Sequence, residues 1–215
     1  MHILFQKYIR KLIAIIIVIL FSTSLWQLAA ASWIQGKAIV AQQLLNHSWN
    51  KTLNDLSDDK KPKTHKPWPW ADTWPVAKLI VPQHNIKQII LAGDSGSSLA
   101  FAPGHSFASA TPNSTGTTVI SAHRDTHFSF LKKIKLNEMI LIQTTDKTMA
   151  YQVYDIKIVD SKTFKFQPVR DRKTLVLVTC YPFDSLSSGG SLRYLVYTTR
   201  PTTQNKVTLQ TTQTS

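Results

Sequence analysis

Cysteine is almost missing from this chain: Cys180 is the only one among 215 residues. A single thiol cannot close an internal disulfide, so the fold has no covalent staple. Acidic side chains are scarce too, 12 Asp and Glu against 25 Lys and Arg, which gives a formal charge of +13. The excess is not one patch, because residues 1–66 carry nine basic and three acidic groups and the remainder carries sixteen and nine. No internal repeat is visible, and no long helical pattern separates the strand-like runs, which argues against a doubly wound sheet.

What is present begins with an apolar run. Lys7, Arg10 and Lys11 precede a stretch from Leu12 to about Trp33, with LIAIIIVILF as its most hydrophobic part. About 20 helical residues cross the roughly 30 Å of bilayer hydrocarbon. Positive charge before the span keeps the N-terminus cytoplasmic and sends the rest outside. Ala29-Ala30-Ala31 offers an A-x-A-like cleavage site, the mark of a removable signal peptide. No Pro or Gly breaks the helix between Ser22 and Ala31, and Trp26 is bulky for that region, so an uncleaved anchor is the favoured reading. Either way the domain lies outside the cytoplasm. Nucleic-acid binding is the obvious alternative for so basic a chain. An exported chain rarely meets nucleic acid, and no basic motif interleaved with aromatics is present, so that partner is set aside. The basic run Lys60 to Lys66 suits a linker near anionic lipid.

The expected organisation is a cytoplasmic stub and transmembrane signal-anchor at 1–33, a juxtamembrane helix and Pro/Trp-rich linker at 34–75, a β-domain at 76–201 and a polar tail at 202–215. Ile34, Ala38, Ala41, Leu44, Leu45 and Trp49 recur near a 3.6-residue period, the sign of a helix. It continues from the membrane or lies along its surface. Pro62, Pro67, Pro69 and Pro75 punctuate the linker, whose Trp68, Trp70 and Trp74 dock on the domain or at the bilayer interface. Strand-like runs follow at 77–82, 86–93, 117–123, 139–146, 149–160, 174–180 and 192–200, with helical turns at 97–105 and 128–134. Lys147-Thr148 reads as a two-residue hairpin connection. Seven or eight short strands with few helices predict a mainly β fold, a barrel or a sandwich.

A lone thiol in an oxidising compartment is open to oxidation, so its presence calls for a reason. It is either a buried, inert small hydrophobe or a working nucleophile. Cys180 ends the run TLVLVTC, and Arg193 opens the next strand. In an antiparallel pair the end of one strand lies beside the start of the next, so thiol and guanidinium can face one end of a sheet. A guanidinium there favours thiolate and offers donors to an oxyanion; as a single residue, Arg193 also reads as an edge-strand surface cation. Gly189 and Gly190 lie in the intervening loop. A nucleophilic Cys needs a group to move protons. His123, at the end of its own strand, is the natural candidate, with His84, His105 and His127 as competitors.

LVTC at 177–180, the arginine on the following strand and the upstream AHRDTHF at 122–128 together resemble the sortase family, membrane-anchored cysteine transpeptidases. The resemblance runs from about Trp68 to Arg200. Its WPWADTWP entry and AHRDTHFSFL segment are similar to sortases of Gram-negative, especially marine, bacteria. It implies an eight-stranded β-barrel with short helices behind an N-terminal transmembrane helix. It further implies Cys180 as nucleophile, His123 as general acid/base, Arg193 as the group that steadies substrate and oxyanion, and Thr179 and His105 as substrate-binding residues. The implied substrate is an exported protein with a C-terminal LPxTG-like sorting signal, passed through a thioacyl intermediate to an amine acceptor. The implied location is the inner membrane, single-pass, with the catalytic domain in the periplasm. Val176 stands where many sortases have Thr, Ala122 precedes the histidine where Gly is frequent, and the Cys-to-Arg loop is somewhat long. No clustered acidic set resembles a calcium site, so neither metal nor cofactor is expected.

Three rivals differ in kind. A papain-like peptidase places Cys before His, whereas here His123 comes first. An L,D-transpeptidase carries a Ser-His-Gly-Cys signature that is missing. A non-enzymatic adaptor would use the Trp-rich segment and keep Cys180 buried.

Overall fold

The computed structural model describes residues 2–55, 64–185 and 189–201. The first part of the basic run Lys60 to Lys66 and the tail after Pro201 therefore lie outside the described residues. The chain divides into two compact units, Met1–Gln43 and Leu44–Ser215. One helix, α1 (His2–Asn54), supplies the first unit and enters the second. Apolar side chains from Leu12 to Trp33 are exposed all round it, Trp26 at 77%. A helix apolar on every side needs a non-aqueous surround. Among the described residues it is the one helix long and apolar enough to cross a membrane.

The second unit is a closed barrel of eight strands: β1 (Pro75–Val81), β2 (Ile86–Ala92), β3 (Gly104–His105), β4 (Gly116–Ser121), β5 (Met139–Gln143), β6 (Thr148–Asp160), β7 (Lys173–Cys180) and β8 (Leu192–Thr199). Their order round the barrel is β1-β2-β3-β4-β7-β8-β6-β5. Strands β2 and β3 pair in parallel, as do β4 and β7; the other pairs are antiparallel. Side chains alternate faces along a strand, so β1 sends Ala77, Leu79 and Val81 inward. In β6 the inward set runs Met149, Tyr151, Val153 and then Ile156. A bulge between Val153 and Asp155 inserts the extra residue that shifts the phase.

Two faces of β2 are buried. Ile90 joins the barrel interior, while Ile89 and Leu91 pack outside against Leu45 and Trp49 of α1 and against Ala102. The end of α1 is thus part of the barrel's packing, with Trp49 only 1% exposed. The linker returns to this helix end: the Ser48 hydroxyl donates to the His65 carbonyl, and His65 Nε2 meets Asp55 Oδ2 at 2.5 Å. The linker tryptophans separate in role. Trp68 meets the Phe101 ring edge-on at 4.9 Å and Trp74 lies 6.5 Å from Phe107, both on the domain, whereas Trp70 is 82% exposed.

Two local expectations change. The β5–β6 connection is Thr144 to Lys147, closed by Thr144 N donating to Lys147 O at 2.9 Å, so Thr148 belongs to the strand. The segment after the short helix α2 (Gly96–Leu99) is strand β3, two residues long. Gly104 is required there, because a Cβ would stand 2.3 Å from the Gly93 carbonyl oxygen.

Candidate active site

Cys180 ends β7 and Arg193 lies on its neighbour β8, while His123 follows two residues past the end of β4, the strand on the other side of β7. Cys180 and Arg193 are direct register partners across β7 and β8. On the other side of β7, the parallel register aligns Ser121 with Val178. Ala122 N still bonds Val178 O beyond that pair, and His123 is the next residue along the chain. Cys180 and Arg193 also share a face. Ile120 and Ala122, Leu175 and Leu177, and Val196 all belong to the interior core. Alternation therefore places Cys180 and Arg193 on the outside of the barrel, and His123, just past β4, is on the surface as well. His123 is exposed, while Cys180 and Arg193 are half-buried. The thiol is free and is not sealed into the core.

Each of the three residues is held from behind. Beyond the end of β4, Ala122 N donates to Val178 O at 3.2 Å. The buried Thr179 hydroxyl donates to Ala122 O at 2.7 Å. Thr179 thus faces inward and grips the residue before His123. The 123–128 turn closes with Phe128 N donating to His123 O at 3.0 Å, and Phe128 is fully buried. Past Cys180 the ladder continues through Tyr181 N to Leu192 O at 3.0 Å. Phe183 and Tyr194, ring centroids 5.1 Å apart, pack against the core and root the loop after Cys180. Arg193 Nη1 donates to Gly190 O at 2.6 Å and Leu192 O at 3.0 Å. Both bonds leave from one prong of a fork that carries five N–H donors. Gly189, at φ +91°, takes a left-handed turn that other residues rarely adopt.

His105 lies elsewhere. It is buried on β3, with Nε2 donating to Ala110 O at 2.9 Å, so its ring is committed to the 106–115 loop. His84 pairs with Glu138 at 2.7 Å. His127 is half-buried next to the site, and its carbonyl accepts from Gln88 Nε2 at 2.9 Å. Burial holds its imidazole below the ordinary histidine range, nearby His123 adds to that, and Asp125 opposes it. Among the described residues no group of three or more His, Cys, Asp or Glu is placed to hold a metal. A cavity of about 550 Å³ opens on the outer side of β4, lined by Ser106, Ser109, Thr117, Val119, Phe166 and Arg170 among others. It shares the outer face with Cys180 and Arg193, four to six residues back along the chain from His123.

The sortase domain profile matches residues 79–201, more than half of the chain. This chain belongs to the sortase family. It is 28% identical to Sortase D of Bacillus subtilis (strain 168) over 125 residues, 58% of this chain, and spans 63% of that relative's length. Among solved structures, Streptococcus agalactiae Sortase C1 superposes with a TM-score of 0.54 at 25% identity, covering 62% of this chain and 71% of that one. A Clostridium perfringens Sortase D5 transpeptidase matches in fold with a TM-score of 0.58 at 20% identity, over 76% and 99% of the two chains. The eight-stranded barrel of this sortase is thus the family's.

One residue of the site carries no role in the sequence reading. Arg124, in the turn after His123, donates from Nη2 to Ser185 O at 2.9 Å across 61 positions of chain. Its position directly after the candidate histidine was the available signal.

Proposed function

We propose that this sortase is a membrane-anchored cysteine transpeptidase acting on exported proteins that carry a C-terminal LPxTG-like sorting signal. The observation that carries the reading is that Cys180 and Arg193 are register partners across β7 and β8, while His123 follows directly after β4, the strand paired with β7 on its other side. The thiolate of Cys180 attacks the scissile carbonyl carbon, and Arg193 with nearby backbone N–H groups stabilises the oxyanion. Protonated His123 gives its proton to the leaving amine as the C–N bond breaks, and a thioester to Cys180 remains. An incoming amine attacks that thioester, His123 takes the amine's proton, and the thiolate departs. Water in place of the amine gives hydrolysis.

Residues 1–33 serve as stub and single-pass anchor in the inner membrane, 34–75 as juxtamembrane helix and linker, and 76–201 as the catalytic barrel facing the periplasm. The cavity beside β4 and the outer faces of β4 and β7 provide a groove for an extended peptide. Thr179 shapes that groove from behind, through Ala122. The adaptor reading needs a buried thiol, and Cys180 is half-buried at a strand end.

The test is a panel of LPxTx peptides incubated with the detergent-solubilised chain and a small amine. Mass spectrometry should find an acyl adduct on Cys180 and the amine-capped product. The reading fails if no peptide forms an adduct, or if Cys180→Ala still yields product.

A further inference from the structure

Two stretches of chain leave the barrel side by side, one from β4 carrying His123 and one from β7 just after Cys180. Behind the pair they are joined by Thr179 Oγ1 to Ala122 O at 2.7 Å. In front of it they are joined by Arg124 Nη2 to Ser185 O at 2.9 Å. The histidine and the thiol are bracketed between these two ties.

Both ends of the front tie are anchored. The turn that bears Arg124 is fixed by Ala122 on one side and by fully buried Phe128 on the other. The turn that presents the Ser185 carbonyl closes with Ser185 N on Pro182 O at 3.5 Å and drives Phe183 against the core. A bond between two rooted turns transmits position. A charge in solution would not.

We infer that Arg124 is a positioning residue that sets the separation of His123 from Cys180, through its hydrogen bond to the Ser185 carbonyl. Its role is to hold the two turns in place. Without it this front tie is lost, and the exposed imidazole drifts from the sulfur. Misplacement by about 1 Å is enough to cost on the order of 10²-fold in rate.

The inference rests on the proposed pairing of His123 with Cys180, so its test reads their proximity without needing turnover. In a His123→Cys background the chain holds two cysteines and no others. A disulfide requires Cα atoms about 4.4–6.8 Å apart, so its closure reports how near the two positions lie. Oxidation with copper phenanthroline should close that bridge in the full chain, followed by loss of free thiol and by a shift on a non-reducing gel. Adding Arg124→Met should slow closure at least about tenfold, in line with loosened positioning, and Arg124→Lys, which keeps a donor, should recover part of the rate. With His123 intact, Arg124→Met should lower kcat on the best panel peptide while KM stays within about twofold. Equal closure rates with and without Arg124 overturn the inference and leave the proposed function standing. A bridge that never forms, even with Arg124 present, removes both.

Discussion

The Thr179 hydroxyl gives the most direct handle on how the site is held. Thr179 is 2% exposed and Ala122 is 5% exposed, so neither end of their 2.7 Å bond has water as a substitute. Thr179→Val keeps the shape and leaves the Ala122 carbonyl oxygen without its hydroxyl donor. An unsatisfied buried acceptor costs about 1–3 kcal/mol. For a domain of 150–250 residues each kcal/mol lowers Tm by roughly 2–4 °C. The same bond fixes the residue before His123, so catalysis should fall further than stability explains, by on the order of 10²-fold if His123 shifts by about 1 Å. Thr179→Ser retains the hydroxyl and drops only the methyl. It should recover most of the rate, although it leaves a small packing defect. Thermal unfolding of the solubilised chain and single-turnover acylation of a panel peptide give the two readouts. If Thr179→Ser is as slow as Thr179→Val, the methyl rather than the hydrogen bond matters, and the argument from Ala122 collapses.

Arg193→Lys exchanges a planar fork for one ammonium; loss of an oxyanion donor predicts a fall of about 10²–10³ in kcat, and full transpeptidation by this variant would take Arg193 out of its proposed role. Gly104→Ala would force a Cβ to 2.3 Å from Gly93 O and 2.9 Å from Asp94 Cα, backbone that must move; a loss of about 1–3 kcal/mol or more is expected, read as a lower urea midpoint. His127 has a folded pKa lowered from 6.5, so on acidification the unfolded chain takes up that proton first. Its contribution to stability is complete above pH 6.5 and is lost as pH falls through the folded value. Urea midpoints measured downward from pH 7.5 should decline over that window, and His127→Gln should flatten the decline; an unchanged slope would show that other groups control it.

Much of the barrel was legible because its strands are short apolar runs between turn residues, with β1 alternating cleanly. The runs at 77–82, 86–93, 174–180 and 192–200 land within two residues of β1, β2, β7 and β8 at each end. Strand β3 was invisible, since two residues cannot show a period and Gly104 is dictated by backbone approaching from β2. Leu45 and Trp49 follow a helical period that suits a membrane surface or a protein surface equally, and only their packing on Ile89 and Leu91 decides. At the site, the Cys180–Arg193 pairing follows from a hairpin read directly along the chain. The placing of His123 just past the strand beside β7 does not, because β4 and β7 pair in parallel, Ser121 opposite Val178, and sequence gives no register for such a crossover. Arg124 was missed for the same reason: its acceptor is a backbone carbonyl, which no side-chain pattern reveals.

The docking of Leu45 and Trp49 onto β2 has a practical side for anyone preparing a water-soluble version of this sortase. Cutting at the linker, where the first barrel strand begins, would strip a fully sealed indole from its seat and leave a greasy scar on the outer wall, inviting self-association. Cutting a few residues ahead of Leu45 discards the exposed apolar part of the helix yet keeps its last turns as a lid on that scar.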